Sequence, residues 1–392
     1  MDRARIHEGI RQMRFEQIFD RWERSELSQV EAAELLGIHE RTFRRWSARH
    51  REDSVAGLRD RRLAPSPLRA APAEIARMLG LYCDLYRGFT VKHFHEKLVR
   101  HHNYKLGYTV TKLHLHTDGL VGKAKQRSAH RKKRPRRPMT GMMLHQDAST
   151  HAWLPGSERK YDLVVTLDDA TTAIYSAFLT DEEGTASSFR GLREVVAKHG
   201  LFCSLYTDRG SHYFHTPAAG GKVSKTVLTQ VGRALKQLGI EAIAAYSPQA
   251  RGRSERPFLT LQDRLPKEFA LAGIDSVAAA NLWLAETYIP EYNRLFAIEP
   301  ERAESAFVPD TTGAWREILC IQEQRVVGND NTVMCEGLSL QLPESRLRPH
   351  FVKATVRVHA YPDGTMAVYL GPHRLAEYDA RGMLVSSGRQ AA

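Results

Sequence analysis

The sequence predicts a multidomain protein with N-terminal all-α helix-turn-helix units, a central α/β mixed sheet and a small C-terminal all-β domain. Up to Leu120, apolar residues recur at helical spacing. After Met139, strand-like apolar runs alternate with helical patterns, and only short strand-like runs occupy the C-terminal part of the chain. The chain has 392 residues, which is too many for one compact domain.

The N-terminal region carries the pattern of a helix-turn-helix. Ser28 and Glu31 are spaced as a capping box, and Gly37 can adopt the left-handed conformation that ends a helix. In the helix that follows, Phe43 and Trp46 lie three residues apart and would face inward. The arginines of this helix would then face DNA, and they are Arg41, Arg44, Arg45 and Arg49. An ordinary helical hairpin with a solvated basic face is the alternative.

A second helical unit follows, and basic segments flank it. Its apolar stripe of Val91, Phe94 and Leu98 is consistent with a second helix-turn-helix. Residues 123–138 carry nine Lys or Arg and no acid, which indicates a linker that also contacts DNA, or else a solvated charge run. The DNA-contact residues predicted there are Lys132, Lys133, Arg134, Arg136 and Arg137.

The central region is predicted to form a sheet. Its strand-like runs are Met142–Leu144, Leu163–Leu167, Ala173–Leu179, Leu201–Tyr206 and Ala242–Tyr246. Helical patterns separate the later runs, so we expect a mixed sheet that helices cover on its faces. Beyond it, short strand-like runs between proline and glycine turns predict a small β-barrel-like domain.

These shifts in pattern divide the chain into six predicted segments. They are a helix-turn-helix DNA-binding domain (1–60), a basic linker (61–73), a second helix-turn-helix-like domain (74–122), a basic linker (123–138), an α/β domain (139–300) and a β-barrel-like domain (301–392).

Charge and composition indicate a nucleic-acid partner. The net charge is +12 and the sequence pI is about 9.6, which favours a polyanion. We expect no membrane partner, because the sequence has neither an apolar run of about 18 residues nor the apolar core of a secretory signal. The four cysteines form no Cys-x-x-Cys pair, so we expect reduced thiols and no zinc site. The clustered histidines are expected to line a surface that faces DNA.

Three acidic residues are the candidate catalytic and metal-binding groups. Asp147 is predicted to close the first strand, Asp208 to close the fourth, and Glu255 to begin a helix. A single acid is usually a solvated surface group, but phosphodiester chemistry suits three carboxylates that hold two hard metal ions. Arginines around them would hold phosphates on either side of the cut, and they are Arg209, Arg251, Arg253 and Arg256.

Several stretches in order resemble one known family. They are SQVEAAELLGIHERTFRRW, HQDAS, YDLVVTLDDATTAIYSAFL, YTDRGSHY and YSPQARGRSERPFLTLQDRLPKE. Together the stretches are similar to bacterial insertion-sequence transposases of the DDE type, and to the ISNCY group among them. The catalytic core of that family is shared with retroviral integrases.

The resemblance implies a ribonuclease-H-like catalytic fold whose Asp-Asp-Glu triad is Asp147, Asp208 and Glu255. It implies Mg²⁺ as the cofactor, with Mn²⁺ able to substitute, and double-stranded DNA as the partner, both as element ends and as target. It also implies a homo-oligomer on DNA in the bacterial cytoplasm, associated with the nucleoid. Asp168 and Asp169 belong to a structural strand and turn in the family pattern.

Two departures from the family pattern concern the segment around the triad. The second Asp and the Glu are separated by 46 residues (209 to 254), more than in relatives with a compact core. We interpret Phe214–Lys225 as a 12-residue Gly-rich surface insertion, which a loop tolerates at small cost. Related enzymes often have Lys or Arg seven residues after the Glu. Gln262 occupies that position here, so the nearby Arg264 becomes the predicted DNA contact.

The function predicted from the sequence is that of a DNA transposase. It would bind the terminal repeats of an insertion sequence, free their 3′-hydroxyls by metal-dependent cleavage and join them to target DNA by transesterification. The first alternative is a catalytically inert helix-turn-helix regulator derived from a transposase. The second is a metal-dependent nuclease that cuts DNA without joining it, which the triad alone does not distinguish from a transposase.

Overall fold

The computed structural model describes residues 3–59, 69–122, 135–218, 221–224, 226–246 and 252–387, without the side chains of residues 3–6, 252–255 and 386–387. The chain forms two compact units, Met1–Lys123 and Ala124–Ala392. None of the helices in the described residues has both the length and the apolar character that crossing a bilayer requires.

The first three helices form the predicted helix-turn-helix region. They are α1 (Arg3–Glu23), α2 (Gln29–Leu36) and α3 (Glu40–Asp53), packed around Phe15 and Phe43. The capping box is present, because the Ser28 hydroxyl accepts from the Glu31 amide and the Glu31 carboxylate accepts from the Ser28 amide. Gly37 ends α2 with φ 65°, in the left-handed conformation that glycine adopts without strain.

Three further helices form a second small core in the same unit. They are α4 (Pro72–Asp84), α5 (Val91–His101) and α6 (Tyr108–Thr117), and the predicted stripe of Val91, Phe94 and Leu98 is buried. The expectation that the histidines of this region line a surface is wrong for His93. Its side chain is 1% exposed because its ring stacks on that of Phe89, with 4.3 Å between the ring centroids.

The second unit contains the mixed sheet that the sequence predicts. Its strands are β1 (Leu144–His151), β2 (Tyr161–Asp168), β3 (Ile174–Thr180), β4 (Ser204–Thr207) and β5 (Glu241–Ala244), in the order β3-β2-β1-β4-β5. The β1–β2 and β2–β3 pairs are antiparallel, whereas β1–β4 and β4–β5 are parallel. The predicted mixed sheet with helices on its faces is therefore confirmed.

Two hydrophobic cores lie on the two faces of this sheet. One face packs on α7 (Thr185–His199) and α8 (Gln230–Gln237). The other packs on α9 (Gly252–Ala272), α10 (Val277–Trp283), a π-helical turn (Leu284–Tyr288) and α11 (Ile289–Phe296). Alternate residues of β2 face opposite cores, as the two-residue period of a strand requires.

The first strand extends further than the sequence predicts. Asp147 was expected to close it, but β1 begins at Leu144 and ends at His151, so Asp147 lies within the strand. The reason is the pairing with β2, which continues from Leu144 opposite Asp168 to His151 opposite Tyr161. The strand therefore includes the polar residues after Asp147, which have no apolar pattern of their own.

The C-terminal region is all-β after a short helix, α12 (Trp315–Ile318). Its strands are β6 (Ile321–Val326), β7 (Thr332–Cys335), β8 (Leu338–Gln341), β9 (Thr355–Ala360), β10 (Met366–Leu370), β11 (His373–Tyr378) and β12 (Leu384–Ser387). Five of them form an antiparallel sheet in the order β12-β11-β10-β9-β6, and β7 and β8 form a hairpin. The all-β prediction is confirmed, although the sequence predicted no strand-like run at β7, β11 or β12.

Candidate active site and DNA-contact residues

Asp147 and Asp208 lie at the same level on two neighbouring parallel strands. Leu144 of β1 is opposite Leu205 of β4, an offset of 61 residues (205 − 144 = 61). The paired residues end at His145 and Tyr206, and the same offset extended by two residues puts Asp208, directly after β4, beside Asp147 (147 + 61 = 208). Side chains at one level of adjacent parallel strands share a face and are about 5 Å apart at the backbone. The sheet therefore brings these two predicted triad residues together.

The turn after β4 fixes the Asp208 carboxylate. Its Oδ1 accepts a hydrogen bond from the Gly210 amide at 2.8 Å, and the Asp147 Oδ1 accepts one from the Ala148 amide at 3.1 Å. A Cβ at position 210 would lie 3.0 Å from the Asp208 Oδ1 and 3.0 Å from the His212 Cε1, so these side chains would have to shift by a few tenths of an ångström. Both carboxylates are half-buried.

Tyr213 lies beside both carboxylates. Its side chain is buried, and its hydroxyl donates to the Gln146 Oε1 at 3.0 Å and lies 3.4 Å from the Glu183 Oε1. Burial raises the pKa of the Tyr213 hydroxyl well above its ordinary value, and the negative charges of Glu183, Asp147 and Asp208 raise it further. One buried hydroxyl thus lies within the field of three carboxylates.

Glu183 and His212 were not predicted as site residues. Glu183 lies between β3 and α7, where its backbone amide donates to Asp162 Oδ2 at 2.7 Å. The His212 Nε2 is 3.5 Å from the Glu183 Oε1, and the His212 ring packs against that of Tyr213 with centroids 4.0 Å apart. Glu183 is the third of three consecutive acids in the sequence, so no pattern distinguishes it before folding.

The third predicted catalytic residue, Glu255, lies near the start of α9, and its side chain is outside the described residues. The helix packs across β1, because the Gln262 amide donates to the Ser149 Oγ at 2.8 Å. Seven residues are close to two helical turns, so positions 255 and 262 share a face of α9. Among the side chains that are described, no three His, Cys, Asp or Glu lie close enough together to hold a metal ion.

Asp168 and Asp169 have structural hydrogen-bond partners, as the sequence analysis expected. The Asp168 carboxylate accepts from the amides of Gly141 and Thr171, both at 2.9 Å. The Asp169 Oδ1 is 2.8 Å from the His145 Nε2, and its Oδ2 accepts from the Arg137 amide at 2.8 Å. Both aspartates are fully buried, so they stabilise the turn after β2 and do not face a substrate.

Three of the four predicted DNA-contact residues of α3 lie on its outer side. Arg41, Arg44 and Arg45 are exposed and Arg49 is half-buried, while Phe43 of the same helix is in the core. The His39 Nδ1 caps α3 by accepting from the Arg41 amide at 3.2 Å. This helix therefore presents a basic face away from the three-helix core.

The basic linker is described only in part. Lys132, Lys133 and Arg134 lie outside the described residues. The Arg136 guanidinium donates to the carbonyls of Asp169 and Ala170 at 3.2 and 3.1 Å, and the Arg137 backbone bonds to Asp169 as described above. These two residues therefore attach the end of the linker to the turn after β2.

The arginines predicted around the triad have different surroundings. The Arg209 Nη1 donates to the Gly221 carbonyl at 2.8 Å, and its guanidinium lies 5.2 Å from the Tyr246 ring centroid. Arg251 and the side chain of Arg253 are outside the described residues. Arg264 is only 7% exposed, and its guanidinium lies 4.8 Å from the Phe296 ring centroid. Its position within the helical layer gives no support to a DNA contact.

Comparison with known proteins gives matches over most of the chain. A family model described as "Winged helix-turn helix" matches residues 23–76. "Putative transposase y4bF" of Sinorhizobium fredii (strain NBRC 101917 / NGR234) is 30% identical over 364 residues, which are 91% of this chain and 79% of the relative. The transposase for insertion sequence IS1202 of Streptococcus pneumoniae is 29% identical over 222 residues, 57% of this chain and 47% of that protein. Among solved structures, the HTLV-2 integrase catalytic core domain in complex with magnesium matches with a TM-score of 0.28 and 17% identity, over 38% of this chain and 88% of that chain.

Proposed function

Because this chain belongs to the bacterial transposase family that includes the Sinorhizobium fredii relative, we propose that it is a metal-dependent DNA transposase. It binds the terminal repeats of an insertion sequence through its helix-turn-helix region, cleaves the DNA at the element ends and joins the freed 3′-hydroxyls to target DNA. The narrower assignment to the ISNCY group stays a prediction.

The observation that carries the catalytic part is the register of β1 and β4. It supports a site at which Asp147 and Asp208 face one substrate phosphate from neighbouring strands. Carboxylate oxygens are the ligands that Mg²⁺ and Mn²⁺ prefer, so these residues suit a divalent ion, and Glu255 is proposed as the third ligand. Bound divalent ions would lower the pKa of the attacking hydroxyl or water and stabilise charge on the leaving oxygen. The protein contributes the fixed strands and turns that orient these carboxylates.

The DNA-binding part of the proposal depends on the basic face of α3. Its exposed arginines have the planar geometry that suits phosphates and guanine edges, and the helix follows a capped α2 and a glycine turn. We propose double-stranded DNA as the partner and a homo-oligomer on DNA as the active form, since two element ends must be brought together. The bacterial cytoplasm, at the nucleoid, is the proposed location.

This function is tested by measuring single-turnover cleavage and strand transfer on DNA that contains the sequences flanking the gene. Asp147→Asn, Asp208→Asn and Glu255→Gln each remove one carboxylate charge and keep the side-chain shape. Each substitution is expected to slow both cleavage and strand transfer by about a thousandfold or more in Mg²⁺ or Mn²⁺, while binding of the DNA ends stays intact. The reason is that a metal site loses most of its catalytic effect when one of its carboxylate ligands is removed. Asp181→Asn is the matched control, since the Asp181 side chain is 77% exposed and forms an ion pair with Arg159.

The possible outcomes separate the competing functions. Loss of both steps in the three variants, with normal activity of the control, supports the transposase. Cleavage without strand transfer by the wild type indicates a nuclease. Binding of ends without cleavage by the wild type indicates the inert regulator, and full activity of the three variants shows that the catalytic residues lie elsewhere.

A further inference from the structure

Three hydrogen bonds connect the turn that contains Asp208 to the strand that contains Asp147. The Asp208 Oδ1 accepts from the Gly210 amide at 2.8 Å, and the Gly210 carbonyl accepts from the Tyr213 amide at 3.0 Å. The Tyr213 hydroxyl then donates to the Gln146 Oε1 at 3.0 Å, and Gln146 is the residue before Asp147. Tyr213 thus connects the turn that contains Asp208 to the strand that contains Asp147.

Gln146 is a fixed acceptor for this hydroxyl. It is 1% exposed, and its Nε2 donates to the Thr166 Oγ1 at 3.0 Å and to the Ser188 carbonyl at 3.3 Å. The space behind it is full, because a Cβ on Gly191 of α7 would lie 2.6 Å from the same Nε2. The Gln146 side chain therefore has no room to follow the turn if the turn moves.

The other end of the connection belongs to a loop that has little regular structure. Between β4 and α8 the chain has neither a strand nor a helix in its described residues, and the Thr229 hydroxyl that caps α8 donates to the Tyr213 carbonyl at 2.9 Å. Packing of the Tyr213 ring alone could hold such a loop near the core. Its hydroxyl adds a directional bond to β1, and that bond fixes the distance and orientation of the loop.

We propose that Tyr213 is a positioning residue whose hydroxyl holds the Asp208 turn against β1 and so sets the separation of the Asp147 and Asp208 carboxylates for divalent-metal binding. The inference rests on the proposed function, because it takes these two aspartates as metal ligands. Groups that orient metal ligands through hydrogen bonds typically contribute about tenfold to a hundredfold in metal affinity.

Tyr213→Phe removes only the hydroxyl, and Tyr378→Phe is the matched control. Tyr378 is 1% exposed and its hydroxyl donates to the Gln341 carbonyl at 2.8 Å, within the C-terminal β-domain. Both variants lose one buried hydroxyl and one hydrogen bond, so both are expected to lower Tm by a similar few degrees. Only Tyr213→Phe is expected to change metal binding.

The experiment measures Mn²⁺ binding to the DNA-free full chain by calorimetry, together with the Mg²⁺ concentration that gives half-maximal cleavage. Tyr213→Phe is expected to weaken Mn²⁺ binding about tenfold and to raise the half-maximal Mg²⁺ concentration by a similar factor, with cleavage largely restored at saturating metal. The control is expected to match the wild type in both measurements. Wild-type metal binding by Tyr213→Phe, with the same loss of Tm as the control, would overturn the proposal and leave the hydroxyl a purely structural group.

Asp147→Asn and Asp208→Asn separate this inference from the proposed function. If both abolish Mn²⁺ binding and cleavage while Tyr213→Phe behaves as wild type, the metal site stands and the positioning role fails. If both still bind Mn²⁺ and cleave DNA, the proposed site itself is wrong, and Tyr213 has no metal ligands to position.

Discussion

Glu317 shows how a single carboxylate can attach the C-terminal sheet to its preceding helix. It lies in α12, and its Oε2 accepts from the Tyr369 hydroxyl at 2.7 Å, from the Tyr361 hydroxyl and from the His359 Nδ1 at 3.3 Å. Burial alone would raise its pKa, but these hydrogen bonds outweigh burial and lower the pKa of Glu317 to about 2. The ionised carboxylate is therefore the form that the fold stabilises.

Glu317→Gln is expected to destabilise the protein at neutral pH. A depressed pKa gives stability that is fully present above the ordinary value of 4.5 and is lost as the pH falls toward about 2. The expected loss at pH 7 is about 1–2 kcal/mol, less than the pKa shift alone implies, because the side chain is 42% exposed and water screens it.

Urea denaturation of the two proteins at pH 7, 5, 4 and 3 measures this difference, and it should shrink steadily below about pH 4.5. Glu344→Gln is the control, since Glu344 is exposed and in the same region. A difference that stays constant across the series would show that the charge of Glu317 is irrelevant and that only its shape matters.

At the scale of elements, the sequence predicted helix caps and turns but not which strands pair or how far each strand extends. The α2 cap and the Gly37 turn depend on residues within one or two turns, so their pattern was sufficient. The length of β1 is set by its pairing with β2, and β11 and β12 are set by pairing with neighbouring strands. No pattern of neighbouring residues in the sequence therefore marks where these strands begin or end. The link between Tyr213 and Gln146 spans 67 residues and exists only in the folded chain.

The interpretation of Phe214–Lys225 as an insertion stays a prediction, with which one hydrogen bond of the segment is compatible. The Ser224 amide donates to the His215 carbonyl at 2.8 Å, so the two ends of this segment lie together. A loop whose ends already meet can be lengthened without moving its neighbours, at small cost in chain entropy. The extra residues between Asp208 and Glu255 are therefore compatible with an undisturbed β4.

The turn of the helix-turn-helix gives a prediction at this scale. Gly37 has φ 65°, and a Cβ added there would meet nothing within 4 Å, so Gly37→Ala tests backbone strain alone. Gly37→Ala is expected to lower the free energy of unfolding by about 1 kcal/mol. Gly9→Ala within α1, where a Cβ also meets nothing, should raise it by about 0.5–1 kcal/mol. Chemical denaturation of both variants measures whether each substitution lowers or raises the free energy of unfolding. A stabilising effect of Gly37→Ala would contradict the left-handed conformation of this turn.

For the whole molecule, hydrogen bonds join the central sheet region and the C-terminal strands of the second unit. The Gln230 side chain of α8 donates to the Gln322 carbonyl at 2.8 Å and accepts from its amide at 3.1 Å. The Arg233 guanidinium donates to the carbonyls of Ile318 and Cys320 at 3.2 and 2.6 Å. The strand β6 is thus hydrogen-bonded to α8, the helix that packs on the central sheet. The predicted boundary at residue 300 stays a prediction.

The net charge of +12 makes the DNA affinity of the whole chain dependent on salt, and α3 allows its share to be measured. Arg41→Ala/Arg45→Ala removes two exposed guanidinium groups one helical turn apart. If both contact phosphates, the slope of log affinity against log salt should fall by about 2. Arg21→Ala/Arg24→Ala, at the end of α1, removes the same charge from side chains 52% and 71% exposed that lie near Glu26.

Titrations of the flanking DNA and of an unrelated duplex, each at several salt concentrations, distinguish how these arginines act. Equal weakening on both duplexes with a reduced slope indicates phosphate contacts, whereas loss of the preference for the flanking DNA indicates contacts to bases. Because both double variants carry the same net charge, a general electrostatic effect would change them equally. If the α3 variant binds like the α1 variant, α3 is not the DNA-binding helix and the basic face has only a solvated role.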